Sequence, residues 1–178
     1  MRVTEEAPRI LALQGADRAH VRGVLLAAAE RWRRQGREVI GAVEVLPDPS
    51  DPERVHLLDL SSGETFPLNQ DLGPGSAGCS LDPQGLAAAC GRVEAAIAAQ
   101  HAGAGAVVIL SKFGRQEAEG RGLTDAFRAA VAADLPILTS VSPVVSAAWA
   151  AFAGPLARYG AVSDAAADAW LSSFHPPA

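Results

Sequence analysis

The most informative stretch of this sequence is Ala106-Val-Val-Ile-Leu110, which continues into Ser111-Lys-Phe-Gly-Arg-Gln-Glu-Ala-Glu-Gly-Arg-Gly122. Five consecutive apolar residues, three of them β-branched, predict a strand that is buried on both faces of a sheet. The residues that follow are rich in glycine and charge, which is typical of a loop. Ligands of open α/β sheets bind beyond the carboxyl ends of the strands, so we expect a binding site in this loop.

The loop places charged side chains beside glycines. Lys112 and Arg115 supply positive charge, Glu117 supplies a carboxylate, and Gly114 lets a ligand approach the backbone closely. We expect Lys112 and Arg115 to neutralise an anion and Glu117 to orient a donor or a water molecule. Glu117 is also the candidate catalytic residue, as a general base. The alternative interpretation is a solvated turn whose charges pair with one another.

Strand and helix patterns alternate on both sides of this stretch. Strands are predicted at 9–13, 38–46, 55–60, 65–68 and 136–140. Helices are predicted at 17–35, 82–100, 123–133, 144–152 and 164–174. The segments from 38 to 68 are joined by connections too short for parallel crossovers, which predicts an antiparallel meander. We therefore expect an α/β fold with a mainly parallel central sheet and an antiparallel β insertion, formed by a single domain over 9–178 after an N-terminal tail at 1–8.

A second candidate site follows the first predicted strand, where Gly15 and Asp17 precede a helix. The free amides of a helix N-terminus attract anions. A phosphate-binding loop needs the pattern G-x-x-x-x-G-K-[ST], and counting from Gly15 its last three positions hold His20, Val21 and Arg22. We therefore expect Gly15 and Asp17 to take part in anion binding without the phosphate positioning of a complete loop.

Composition excludes several classes of function. The net charge is −5 and the 15 Lys and Arg residues form no basic block, so we expect no nucleic-acid partner. The four histidines lack the spacing of metal ligands, so no metal site is predicted. No signal peptide is evident, and three prolines interrupt the uncharged segment 135–157, so we expect a cytoplasmic protein with no membrane span.

Two smaller features of the sequence are its cysteines and a glycine-rich run. Cys79 and Cys90 are expected to be reduced thiols, because two cysteines do not make a disulfide framework in a chain of 178 residues. The glycine-rich run 73–78 either cradles an anion or is simply a loop that needs positive φ angles.

The segment 108–122, together with Gln70–Cys79 upstream, resembles a bacterial family of domains of unknown function. The resemblance covers nearly the whole chain from Arg9 onward. Members of that family occur alone or beside molybdate-transport ATPases. The resemblance therefore implies a link to molybdenum metabolism, with a molybdate-transport or cofactor-assembly protein as a partner.

More distantly, the chain resembles small P-loop nucleoside-triphosphatases and the molybdopterin-guanine-dinucleotide biosynthesis protein B. The shared features are the strand Gly36-Arg-Glu-Val-Ile-Gly41 and the turn Asp59-Leu-Ser-Ser-Gly63. This resemblance implies a three-layer P-loop-NTPase-like domain. The central strand of those families ends in Asp-Glu-Ile-Gly-x-x-Glu, whose acids handle magnesium and water, but here Ser111 and Lys112 replace the first two acids. With both nucleotide motifs eroded, we expect ordinary ATP or GTP hydrolysis to be lost.

The sequence thus predicts a binding or regulatory protein for a small oxyanion or a nucleotide-like ligand held between Gly15 and the loop at 112–117. It identifies no cofactor. One alternative is a nucleoside-triphosphatase or transferase with a noncanonical site that uses Glu117. Another is an interaction module for a transporter or a cofactor-assembly partner, with four aromatic residues as exposed anchors rather than core. These residues are Trp149, Phe152, Trp170 and Phe174.

Overall fold

The computed structural model describes residues 7–69, 81–100 and 105–174, and its strands form one seven-stranded sheet. The strands are β1 (Ile10–Leu13), β2 (Val39–Val45), β3 (His56–Asp59), β4 (Thr65–Pro67), β5 (Val107–Leu110), β6 (Ile137–Ser140) and β7 (Ala157–Gly160). The helices are α1 (Arg18–Arg34), α2 (Pro83–Ala98), α3 (Arg115–Ala118), α4 (Thr124–Ala132), α5 (Ser146–Ala153) and α6 (Asp164–Ser172). Single 3₁₀ turns at Pro143–Val145 and Gly154–Leu156 flank α5.

The strand order is β4-β3-β2-β5-β6-β1-β7, with β5 in the middle of the sheet. Strands β2, β5, β6, β1 and β7 are parallel, whereas β3 pairs antiparallel with both β2 and β4. The prediction of a mainly parallel sheet with an antiparallel insertion is therefore confirmed. All four residues of β5 are fully buried, as its uninterrupted apolar sequence predicts.

Helices cover both faces of the sheet, which gives three layers. On one face, α1 and α6 pack on residues such as Leu11, Val43 and Ile109. On the other face, α2, α4 and α5 pack on residues such as Ile40 and Leu110. The central strands β2, β5, β6 and β1 are buried on both sides because alternate side chains enter the two cores.

The two motifs that the chain shares with the more distant families, at 36–41 and 59–63, both have a structural role in the fold. Gly36 adopts a φ of +83° and ends α1, while Gly41 lies in β2 with a φ of +144°. A Cβ at position 41 would lie 1.8 Å from the carbonyl oxygen of Ile109, so only glycine lets β2 and β5 approach this closely. Asp59 is buried and accepts hydrogen bonds from the backbone N–H of Ser62 at 3.2 Å and from its hydroxyl at 2.5 Å, which shapes the turn into β4.

The predicted helix boundaries agree with observed caps. The Asp17 side chain accepts the His20 N–H at 2.8 Å at the start of α1. Asp82 caps α2, whose first residue is Pro83. At the far end of α1, Asp168 of α6 accepts hydrogen bonds from Arg31 and Trp32, which binds the two helices to each other.

The structure differs from the sequence-based predictions in three places. Strand β7 was not predicted, because it is an edge strand whose Tyr159 is 49% exposed and which lacks an apolar run. The predicted loop 111–122 contains the short helix α3. Trp149, Trp170 and Phe174 are buried, so the hypothesis that they are exposed docking anchors is wrong.

Several predicted features lie wholly or partly outside the described residues. They are positions 1–6 of the predicted tail, the glycine-rich run 73–78 and Cys79. Cys90 is a buried free thiol. In the part of the chain that the structure describes, no helix is long and apolar enough to cross a membrane.

Candidate functional site

Two adjoining cavities open at the carboxyl edge of the parallel strands. The larger has a volume of about 700 Å³ and extends from the ends of β2 and β5 towards β3 and α2. The smaller, of about 210 Å³, lies beneath the connection between β1 and α1. Five residues line both cavities and therefore form the boundary between them. They are Arg18, Glu44, Ser111, Lys112 and Ser142.

An ion pair with a buried carboxylate lies at this boundary. Arg18, the first residue of α1, donates from Nε and Nη2 to the two carboxylate oxygens of Glu44, each at 2.9 Å. The Nζ of Lys112 lies 3.8 Å from the same carboxylate. The Glu44 side chain is only 8% exposed, whereas those of Arg18 and Lys112 are 60% and 41% exposed. The cations can therefore reach the cavities, while the carboxylate is held behind them.

Glu44 remains ionised despite its burial. Burial alone raises the pKa of the carboxyl group, but the hydrogen bonds from Arg18 and the charges of Lys112, Arg18 and Arg22 outweigh it. The net result is a pKa below the ordinary glutamate value. The bidentate guanidinium contact is the geometry that arginine forms best with a carboxylate.

Hydrogen bonds fix the ends of three neighbouring strands beneath this ion pair. The Glu44 N–H donates to Ser111 Oγ at 3.1 Å, and Ser140 Oγ donates to the Ser111 carbonyl at 2.8 Å. The Phe113 N–H donates to the Ser140 carbonyl at 2.8 Å. Lys112 thus extends from a backbone that β2 and β6 hold on both sides.

Glu117 organises the loop that carries Lys112. Its side chain is buried, with Oε2 accepting the Gly114 N–H and Oε1 accepting the Leu123 N–H, each at 2.9 Å. Its carbonyl oxygen also accepts the Thr124 hydroxyl at 3.1 Å. Glu117 therefore closes the loop between β5 and α4 into a compact turn, and both of its carboxylate oxygens are already engaged.

The residues that line the larger cavity fall into a polar and an apolar set, which we call its polar and apolar walls. Lys112, Arg115 and Gln116 line the polar wall together with the ion pair. Arg115 is exposed and has no carboxylate partner among the described residues. Aliphatic side chains from the meander, α2 and the surrounding loops line the apolar wall. They are Val55, Leu57, Leu68, Leu81, Leu86, Leu123 and Val144.

The smaller cavity occupies the position where a phosphate-binding loop would stand. Gly15 lines it with a φ of +106°, and Arg22 and Ser140 contribute further polar groups. Asp17 lines neither cavity in the described structure. Its carboxylate caps α1 instead, so a negative charge stands at the helix N-terminus where an external anion would otherwise bind.

The structure places five of the six predicted site residues on these cavities. Gly15 lines the smaller cavity, Lys112 lines both, and Gly114, Arg115 and Glu117 line the larger. Gly114 does not offer a free amide, because its N–H is bound to Glu117. A Cβ at position 114 would lie 3.2 Å from Lys112 Cε, so this glycine leaves room for the lysine side chain.

Sequence reasoning missed Arg18, Glu44 and Ser140. Glu44 did carry a signal, because it is a charged residue within the otherwise apolar strand β2, and buried charges require partners. Nothing local identifies Arg18 as that partner, since the two residues are 26 positions apart.

The P-loop resemblance raises the question of a magnesium ion. Mg²⁺ requires oxygen ligands in octahedral geometry. The oxygens of Glu44 accept from Arg18, and those of Glu117 accept from backbone amides. Within residues 7–69, 81–100 and 105–174, no three metal-ligating side chains form a cluster. The residues of this site therefore do not fit a magnesium ion.

Comparison with known proteins places the chain in a family. The family described as "Protein of unknown function (DUF2478)" matches residues 10–170. Molybdenum import ATP-binding protein ModC 2 of Bradyrhizobium diazoefficiens is 40% identical over 97 residues, which are 54% of this chain and 10% of that protein. The matched segment is thus about a tenth of that protein's length.

The solution structure of a human cancer-related nucleoside triphosphatase has the same architecture. It superposes with a TM-score of 0.62 and 16% identity, covering 92% of each chain, and at that identity the similarity establishes the fold alone. The expected P-loop NTPase-like fold is therefore confirmed, as are the resemblance to a family of unknown function and the partial similarity to a molybdenum import ATP-binding protein. The chain belongs to the DUF2478 family of proteins of unknown function.

Proposed function

We propose that this chain is a binding or regulatory protein for a small anionic ligand, either an oxyanion or a nucleotide-like molecule. The observation that carries the proposal is the convergence of Arg18, Lys112 and Arg115 on the polar wall of the larger cavity. All three lie beyond the carboxyl ends of parallel strands, where ligands of such sheets bind. The cavity volume of about 700 Å³ is typical of a small-molecule site.

Each site residue has a role in this proposal. Lys112 and Arg115 neutralise the anion, and Gly15 provides backbone at the edge of the smaller cavity. Glu117 acts as a positioning residue, because it holds the loop through Gly114 and Leu123. Asp17 affects the ligand only through its charge at the start of α1.

We do not extend the proposal to catalysis. The hydrolase or transferase hypothesis uses Glu117 as a base, yet both oxygens of that carboxylate accept backbone amides. A general base must lie within hydrogen-bond reach of the proton it removes, whereas the Glu117 side chain is buried and holds the loop in place. The geometry of Glu117 therefore favours binding over turnover.

The molybdenum link is the second part of the proposal. ModC 2 is a molybdenum import ATP-binding protein, and it contains a segment 40% identical to this chain over 97 residues. We further propose that this chain acts in the cytoplasm and that its partner is a molybdate-transport or cofactor-assembly protein. If the ligand is the molybdenum oxyanion itself, molybdate must stabilise the protein more than sulfate does at equal concentration.

The test is a thermal-shift screen of the wild type and Lys112→Met against phosphate, sulfate, molybdate, tungstate, Mg-ATP and Mg-GTP. Methionine keeps the aliphatic contact with Gly114 and removes the charge. A ligand at 100 times its Kd stabilises by about 2.7 kcal/mol, which raises Tm by roughly 5–10 °C in a domain of this size. We expect such a shift in the wild type and its loss in Lys112→Met.

The matched control is Arg33→Met, which removes an exposed cation at the opposite end of α1. It must retain the shift of the wild type. A ligand-induced shift that persists in Lys112→Met, or that disappears equally in Arg33→Met, contradicts the assignment of the site. If no ligand in the panel raises the Tm of the wild type, this choice of ligands is wrong.

A further inference from the structure

We infer that the smaller cavity is the binding site of a compact oxyanion, which three cationic side chains hold together: Arg18, Arg22 and Lys112. This inference rests on the proposed function and deepens it. The anion then lies in the smaller cavity rather than at Arg115, and Arg22 joins the residues that bind it.

The three cations reach the smaller cavity from two different elements. Arg22 lies one helical turn after Arg18 on α1, so the two residues share a face of that helix. Lys112 follows β5 in the neighbouring part of the sheet edge. All three line the smaller cavity, whereas Arg115 lines the larger cavity and not the smaller.

A single carboxylate balances these cations only in part. Glu44 is the one acidic residue among the described residues that line the smaller cavity. Its oxygens accept hydrogen bonds from Arg18 at 2.9 Å, whereas Lys112 Nζ lies 3.8 Å from Oε1, too far for a hydrogen bond. Burial raises the pKa of Glu44, but the Arg18 hydrogen bonds and the charges of Lys112, Arg18 and Arg22 lower it, so Arg22 also acts on this carboxylate. Two positive charges therefore remain unbalanced around the cavity.

Arg22 and Lys112 keep their hydrogen-bond donors available to a ligand. Within residues 7–69, 81–100 and 105–174, neither side chain donates a hydrogen bond, and Arg22 forms no ion pair. Both residues are half-buried. Partial burial removes water from a charged group, and an external anion offsets that cost by supplying charged acceptors.

The volume of the smaller cavity favours a compact anion. It is about 210 Å³, which is below the range of roughly 300–1,000 Å³ for sites of drug-sized ligands. A tetrahedral oxyanion such as phosphate, sulfate or molybdate fits within this volume, whereas a whole nucleotide does not.

The test is titration calorimetry with phosphate, sulfate and molybdate in EDTA on the wild type, Arg22→Met and Arg115→Met. The two variants remove the same charged group, one from the smaller cavity and one from the larger. We expect at least one oxyanion to bind the wild type and Arg22→Met to weaken it about 10- to 100-fold, because hydrogen bonds between charged groups are lost. Arg115→Met should weaken it less than about threefold, since an exposed charge outside the cavity is screened.

A third variant separates ligand binding from folding. Arg22→Lys restores the positive charge and should bind the oxyanion more tightly than Arg22→Met, with the Tm of both ligand-free variants close to that of the wild type. If Arg22→Met lowers the ligand-free Tm and Arg22→Lys recovers no affinity, Arg22 has a structural role and the inference is wrong.

The remaining outcomes separate this inference from the proposed function. If Lys112→Met and Arg115→Met weaken the oxyanion and Arg22→Met does not, the inference is wrong and the proposed function stands with its anion in the larger cavity. If the wild type binds Mg-ATP or Mg-GTP and no oxyanion, the inference is also wrong, and a nucleotide-like ligand remains. If none of these probes binds the wild type, both are overturned.

Discussion

At the scale of single residues, Glu117 organises the loop between β5 and α4 that carries Lys112. The carboxylate reaches the Gly114 amide three residues before it and the Leu123 amide six residues after it. A buried N–H that loses its acceptor carries the full free-energy penalty of desolvation. Because Glu117 supplies the acceptor for both amides, this single side chain holds the backbone from which Lys112 extends. Gly122 belongs to the same arrangement, because its missing side chain leaves space for Oε1 of Glu117.

Replacing Glu117 by Gln should destabilise the fold. The amide group of glutamine places an N–H donor against one of the two backbone donors, so one hydrogen bond is lost and one amide is left unpaired. We expect the free energy of unfolding to fall by about 1–3 kcal/mol in chemical denaturation. Glu119→Gln, an exposed neighbour, should change it by less than about 0.5 kcal/mol. Wild-type stability in Glu117→Gln would show that the carboxylate does not hold the loop.

Gly122→Ala and Gly120→Ala form a second matched pair. Both glycines have positive φ angles, of +63° and +76°, so each substitution should cost about 1–2 kcal/mol of backbone strain. A Cβ at position 122 would also lie 2.2 Å from Glu117 Oε1, whereas one at position 120 meets nothing within 4 Å. We therefore expect Gly122→Ala to be the more destabilising, by about a further 1–3 kcal/mol in urea unfolding. Equal losses would contradict the structural role of Glu117.

Among the elements, the contact between α1 and β2 is the one that shapes the site. Arg18 begins α1 and Glu44 lies near the end of β2, so their bidentate pair ties the helix N-terminus to the sheet edge. The same contact keeps Arg18 between the two cavities. Breaking it should therefore affect both stability and the shape of the site.

This contact predicts a specific pH dependence. Because the pKa of Glu44 is lower in the folded protein than in the unfolded chain, the unfolded chain binds more protons as the pH falls below about 4.5. The stabilisation is therefore complete above that range and is lost as the pH falls through the folded-state pKa. We expect the Tm difference between the wild type and Glu44→Gln to be constant near neutral pH and to shrink in acid. A difference that stays constant down to pH ~3 would contradict the ionised pair.

At the scale of the whole molecule, two apolar cores on opposite faces of the sheet hold the layers together. Cys90 lies on α2 and belongs to the core on the face of the sheet that α2 and α4 cover. Burial raises the pKa of its thiol to about 11. The thiol is therefore neutral at physiological pH and reacts only when that core opens.

Cys90 should consequently report opening of the native structure. We expect its alkylation by iodoacetamide at pH 8 to be on the order of 100-fold slower in the native protein than in guanidinium chloride. Peptide-level mass spectrometry distinguishes it from Cys79 in the same experiment. Native labelling at the denatured rate would contradict the burial of the thiol.

The sequence predicts best what is encoded locally. The apolar run of β5 and the starts of the helices predicted at 17–35 and 82–100 are encoded within a few residues, and the structure confirms them. Strand β7 escaped prediction because an edge strand needs only one partner and no apolar run. The pairing of Arg18 with Glu44 could not be predicted either, because only the folded sheet brings these two positions together. The local pattern predicts a site in the loop at 112–117, which lines the larger cavity. The hydrogen bonds of Glu117 to the backbone of its own loop could not be predicted, because they depend on atomic contacts.

The close approach at Gly41 has a consequence for how relatives of this chain are recognised. Any side chain there would collide with the Ile109 carbonyl, so the glycine is required for the sheet regardless of what the cavities contain. The requirement comes from the spacing of β2 and β5 alone and places no condition on the residues that line the cavities. A glycine motif of this kind therefore indicates the geometry of the scaffold and carries no information about the chemistry of the cavities.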